Sequence, residues 1–147
     1  MKRESAPIDV PGPAAPPVHF TQLLSATPRG ARLARLLAVE QLVRWGRERD
    51  STHVRSAALV VSELATNAVL HGRSAGRSFR LSLALLPTGG LRVEVTDSRG
   101  ERLPALLRGD DEGGRGLLLV DALADDWGVT PYLPSGKTVW AEIPPDR

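Results

Sequence analysis

Between Gly72 and Ser78 the hydrophobic period of the chain switches from that of a helix to that of a strand, and this constrains the fold more than any other feature. Upstream, Val54, Ala57, Ala58, Val61, Ala65 and Ala68 recur at helical spacing and make a narrow face of small residues. Asp50, Ser51 and Thr52 are each suited to cap that helix, and Gly72 to end it. Downstream, Phe79, Leu81, Leu83 and Leu85 alternate with Arg80, Ser82 and Ala84. After the turn "PTGG", Leu91, Val93 and Val95 alternate with Arg92 and Glu94. This pattern predicts an antiparallel hairpin with one buried face.

The flanking segments extend the same plan. "VHFTQLLSAT" reads as a short edge strand, and Pro28 opens a helix over "PRGARLARLLAVEQLVRWG". Leu33, Leu36, Leu37, Val43 and Trp45 are the expected apolar side of that helix. Asp97 sits just past the second strand, and a polar loop runs from Ser98 to about Gly114. "LLLVDALA" then predicts a short apolar helix starting near Leu117, and "WGVTPYL", the turn "PSGK" and "TVWAEI" a final hairpin. Helices, hairpin, loop, helix, hairpin is the order of an α+β two-layer sandwich. The expected division is a single domain over residues 18–147, behind a disordered tail over 1–17 rich in proline and small residues.

Composition removes several function classes. With 19 basic and 17 acidic residues the formal charge is only +2, too balanced to indicate direct binding of nucleic acid or a membrane surface. No cysteine is present, which excludes disulfides and thiolate metal sites. No apolar run is long enough to span a bilayer, and the N-terminus lacks the apolar core of a secretory signal. A cytoplasmic location is the expectation. His19, His53 and His71 show no metal-ligand spacing.

The helix "VSELATNAVLHG" carries the first chemical signal. Glu63, Asn67 and His71 recur every fourth residue and so form a stripe. Glu63 is rotated about 200° from Val61, which turns the stripe away from the small apolar face. A solvated helix face would account for it equally well. Yet Asn competes for backbone hydrogen bonds and is a poor helix-interior residue, and Val60, Leu64 and Leu70 adjoin the stripe. A carboxylate one turn from an amide oxygen suits proton abstraction beside a hard cation such as Mg2+. Farther on, Gly113, Gly114 and Gly116 in "EGGRGLLLV" let backbone N–H groups approach an anion at a helix start. Asp97 can accept hydrogen bonds from an exocyclic amine. Taken singly, the glycines read as a flexible loop and Asp97 as a turn aspartate.

In combination and in this order, E-x-x-x-N-A-x-x-H, strand–Asp–x–x–Gly and G-R-G-L resemble the GHKL ATPase superfamily, and within it the bacterial anti-sigma factor serine kinases. The match runs from about Arg29 to Ile143, and the ending "GKTVWAEI" is also similar to small stand-alone members. The resemblance implies a Bergerat-type fold, with helices on one face of a mixed sheet and ATP and Mg2+ between the layers. Carried over, it makes Glu63 the general base and Asn67 the Mg2+ ligand. It gives Asp97 the adenine amino group, with Gly100 supporting that loop. Gly114 and Gly116 would cradle phosphates, with Arg115 and Leu117 of the same motif also at the cofactor, Thr138 would lie near the adenine side, and His71 would close the helix motif. The segment from Ser98 to Gly113, with Glu101, Asp110, Asp111 and Glu112, would be an ATP lid.

The implied activity is that of an ATP-dependent serine/threonine kinase whose substrate is an anti-anti-sigma factor and which also sequesters a sigma factor, with homodimerisation as a further expectation. One departure stands out. The family's D-x-G-x-G reads "DSRGE" here, with Arg99 where a glycine is expected, so nucleotide affinity is the property it touches. A second reading keeps the fold but little catalysis, and acts by capturing a protein. A DNA-binding regulator ranks last, since no helix-turn-helix pattern accompanies the arginines of the first helix.

Overall fold

The computed structural model describes residues 18–71, 77–97, 112–132 and 136–146, apart from the side chains of 71, 112–116 and 132. Residues 1–17 and, of the expected lid from Ser98 to Gly113, the part from Ser98 to Asp111 with Gly100 lie outside the described residues. The elements are β1 (His19–Ser25), α1 (Pro28–Arg44), α2 (Thr52–His71), β2 (Ser78–Leu85), β3 (Leu91–Asp97), α3 (Glu112–Leu123), β4 (Asp126–Tyr132) and β5 (Gly136–Ile143). They form the two-layer α+β arrangement read from the sequence.

The strands make one sheet in the order β1-β2-β3-β5-β4. Every neighbouring pair is antiparallel, whereas a mixed sheet was the expectation. The cause is the position of β5. A crossover through a helix delivers β4 parallel to β3, as such connections do, but β5 folds back and inserts between them. Pro131 costs β4 little, because that strand is an edge of the sheet.

Period two decides which face is covered. Phe79, Leu81, Leu83, Leu91, Val93, Val95, Val139, Ala141 and Ile143 are buried beneath the helices. Each leucine or valine so covered contributes about 1.5–3 kcal/mol relative to exposure. On the opposite face Arg92 bonds Glu94 at 2.8 Å and Glu142 at 2.7 Å, and its guanidinium lies 4.3 Å from the ring centroid of Trp140. Burial disfavours the Arg92 charge, but the hydrogen bonds and negative charges of Glu94 and Glu142 outweigh it and raise its pKa.

The helix ends follow capping chemistry. Thr27 accepts the Gly30 N–H at 3.0 Å as N-cap of α1, with Pro28 in the first turn. Of the three candidate caps of α2, Ser51 is the one whose hydroxyl accepts from Val54 N, at 3.2 Å. The buried side of α1 corrects the sequence expectation. Ala31, Ala34, Ala38 and Leu42 face the core, whereas Leu33 is 43% and Leu36 62% exposed. Alanines let α1 lie close against the small-residue face of α2, and leucines there would hold the helices apart. Gly30 has the same role at closer range, because a Cβ would stand 1.9 Å from the Ser25 carbonyl oxygen.

Candidate functional site

The direction of α2 follows from its first turn. The His53 ring Nδ1 lies 2.8 Å from the Pro144 carbonyl oxygen, and His53 N–H donates to Asp146 at 3.1 Å. Both partners follow the end of β5, where Ile143 pairs with Leu91 at the start of β3. Asn67, fourteen residues beyond His53, stands about 21 Å farther along the helix axis. Asp97, six residues beyond Leu91, stands about 20 Å farther along the strand. The helix stripe and the strand-end carboxylate therefore share one end of the molecule.

A third element reaches the same end. Immediately after α3, Asp125 N–H donates to the Glu142 carbonyl at 2.7 Å, which fixes the C-terminal end of α3 beside the far end of β5. The N-terminus of α3 thus points back toward Asp97, with the partial positive charge that helix starts carry. The helix begins at Glu112 instead of near Leu117, so Gly113, Gly114, Arg115 and Gly116 lie within its first turns and not in a preceding loop. Glycine disfavours a helix by about 1 kcal/mol per residue. The buried side chains of Leu117 and Val120 anchor the segment against this cost.

The polar stripe is not the solvent face of α2. Asn67 is only 4% exposed, because α2 is covered by α1, α3 and the sheet, and solvent reaches the side bearing Arg55, Leu59, Thr66 and Leu70. Glu63, one turn earlier, is half-buried. Among the described residues the Asn67 Oδ1 has no hydrogen-bond partner. A buried acceptor left in this state costs about 1–3 kcal/mol, and it faces the same end as Asp97 and the α3 N-terminus. His71 is the last residue of α2; its side chain, and Gly72, lie outside the described residues.

On the sheet, Asp97 is the last residue of β3 and points to the helix side, 6% exposed. Its neighbour across the ladder is Lys137, 2% exposed, whose Nζ lies 3.1 Å from Oδ2 and 3.5 Å from Oδ1. The sequence reading placed Lys137 in the turn "PSGK" and missed it. The signal was available, since Lys137, Val139, Ala141 and Ile143 keep one period-two face. Thr138 is not brought to this group. Its hydroxyl is 2.7 Å from that of Thr96, on the side of the sheet away from the helices.

An amide oxygen without a partner among the described residues, a carboxylate paired with an ammonium, and a helix start, all at one end of the molecule, suit a ligand with an anionic portion, a hard cation and a hydrogen-bonding edge. Comparison with known proteins agrees with this chemistry. The family model for the histidine kinase-like ATPase domain matches residues 24–143. An uncharacterised protein of Streptomyces coelicolor is 42% identical over 73 residues, which are 47% of this chain and 68% of that protein. The fold is similar to a crystal structure of the RsbU and RsbW domains of the Mycobacterium tuberculosis protein Rv1364c, with a TM-score of 0.65 and 24% identity. That similarity covers 90% of this chain but only 33% of the other.

Proposed function

Because the chain belongs to the histidine kinase-like ATPase domain family, we propose that it binds Mg2+–ATP between α2, α3 and the β3–β5 strand ends, and that it is a regulatory protein serine/threonine kinase. The observation that carries the reading is the buried Asn67 Oδ1 without a partner among the described residues. An oxygen donor of that kind fits Mg2+, which takes few protein ligands and otherwise water and phosphate oxygens. Asn67 would hold the cation, the α3 start would receive the phosphates, and Asp97 would accept the base amine. His71 and Thr138 have weaker claims, Thr138 because of the face it occupies.

When bound, Mg2+–ATP supplies the transferable phosphoryl group and its charge neutralisation. The protein's own part is positional. Glu63, one helical turn from Asn67, stands where it can take a proton from an incoming hydroxyl, and its half-buried side chain leaves it reachable. In this reading the hydroxyl belongs to an anti-anti-sigma protein, and the same chain sequesters a sigma factor as a homodimer. No helix of the described residues is long and apolar enough to cross a membrane. A second reading, capture of a protein with little catalysis, is favoured by Arg99 at the expected glycine of D-x-G-x-G.

Titration calorimetry with ATP, with and without Mg2+, tests the site. Wild-type protein is expected to bind saturably, and Asn67→Ala to lose affinity by roughly tenfold or more while still folding. Absence of heat from folded wild-type protein would reject the proposal. Glu63→Ala separates the two readings. Lost phosphorylation with retained partner binding supports the kinase, and unchanged regulation supports capture.

A further inference from the structure

The outer side of the helical layer carries a groove that the nucleotide reading does not use. It lies between the first half of α1 and the second half of α2 and has a volume of about 490 Å3. Ala31, Leu36, Val69 and Leu70 line it with apolar surface, and Arg32 and Arg35 line it with charge. Leu36 is 62% and Leu70 39% exposed, and Leu33 and Leu59 on the same two helices are exposed as well. Large apolar side chains grouped about a concave surface mark a place where another molecule sits.

Charge decides which molecule fits. Arg29, Arg32 and Arg35 are exposed on α1 and make no ion pair among the described residues. The one acidic residue of α1, Glu40, is engaged by Arg49 at 3.0 Å. The first turn of α1 holds no acidic residue, and Arg29 stands there against the partial positive charge of the helix start. An anionic partner would relieve that repulsion. An apolar seat between two helices, with cations beside it, is complementary to an amphipathic helix whose apolar face is flanked by carboxylates. The concave shape favours an inserted helix over a lipid surface, on which amphipathic faces lie flat.

We infer that the α1–α2 groove docks an acidic amphipathic helix of a protein partner. This rests on the reading of the chain as a regulator that engages another protein. Ser62 and Thr66, which also line the groove, immediately precede Glu63 and Asn67. The seat therefore runs along the same turns of α2 as the proposed Mg2+ site, around the helix from it.

The test is a fluorescence-anisotropy titration of the full chain against a labelled synthetic helix of about 18 residues, with leucines on one face and glutamates beside them. A counterpart with lysine in place of glutamate is the control. The proteins are wild type, the double variant Arg32→Glu with Arg35→Glu, and Leu36→Ser, and thermal melting of each reports folding. Wild type is expected to bind the acidic peptide saturably and roughly tenfold or more tighter than the lysine counterpart, and each variant to weaken it by roughly fivefold or more. Equal affinity for the two peptides, no saturable binding of the acidic one, or an affinity unchanged in folded variants would overturn the inference. So would binding of phosphatidylserine vesicles in place of the peptide. The peptide pair on wild type decides by itself if neither variant folds. Mg2+–ATP titration of the same samples keeps the readings apart. Nucleotide bound without the acidic peptide removes the groove alone, and peptide bound without nucleotide removes the kinase and leaves capture, which the groove serves.

Discussion

Asn67 holds the clearest conflict between folding and use at the scale of a single residue. Its Oδ1 is buried and unpartnered among the described residues, a state that disfavours the folded chain. Asn67→Leu replaces it with an apolar side chain of similar volume. The variant is expected to gain about 1 kcal/mol in chemical denaturation and to lose Mg2+-dependent ATP binding. A variant that is less stable and still binds would show that the amide has a structural role. This residue was legible in the sequence because Asn is out of place in a helix interior. Lys137 was not, because "PSGK" has the composition of a turn, and the strand register that overrules it is a tertiary fact.

Among the elements, α1 departs most from its sequence. Leucines drew the expected apolar side to Leu33 and Leu36, but the helix is placed by how closely it can approach α2, and that favours Ala34 and Ala38, both 0% exposed. Ala38→Leu is therefore expected to cost about 1–3 kcal/mol by overpacking. Leu36→Lys, at 62% exposure, should stay within about 0.5 kcal/mol of wild type. Urea denaturation of both variants checks the pair, and the reverse order would restore the leucine face. The hairpin of β2 and β3 was read correctly, since alternation specifies a face without reference to a partner. The start of α3 was not. Local propensity stops a helix at Gly116, and packing of Leu117 and Val120 carries it back to Glu112.

For the whole molecule, three elements converge on one end, so ligand binding there reports on global stability. If Mg2+–ATP binds only the folded chain, a concentration one hundred times Kd adds about 2.7 kcal/mol. For a domain of this size that corresponds to a rise in Tm of several degrees, roughly 2–4 °C per kcal/mol. Removal of Mg2+ with a chelator is expected to abolish the rise, which thermal melting can follow. A rise that survives chelation would mean that Asn67 does not act through a metal. The layer arrangement could be read from the order of periodic segments. The antiparallel sheet could not, because the insertion of β5 between β3 and β4 leaves no local signature.

One contact made by α3 has an optical consequence. The indole N–H of Trp127, on β4, donates to Asp121 of α3 at 2.8 Å. Trp45 lies just beyond α1, and Trp140 sits under Arg92 on the open face of the sheet. Trp127 is thus the one of these indoles hydrogen-bonded to the helix whose start faces the proposed ligand. Replacing Trp45 and Trp140 with phenylalanine would leave Trp127 as the single tryptophan, tied to α3 and excitable selectively over Tyr132. Its emission would record movement of that helix in real time, with no dye attached to the chain.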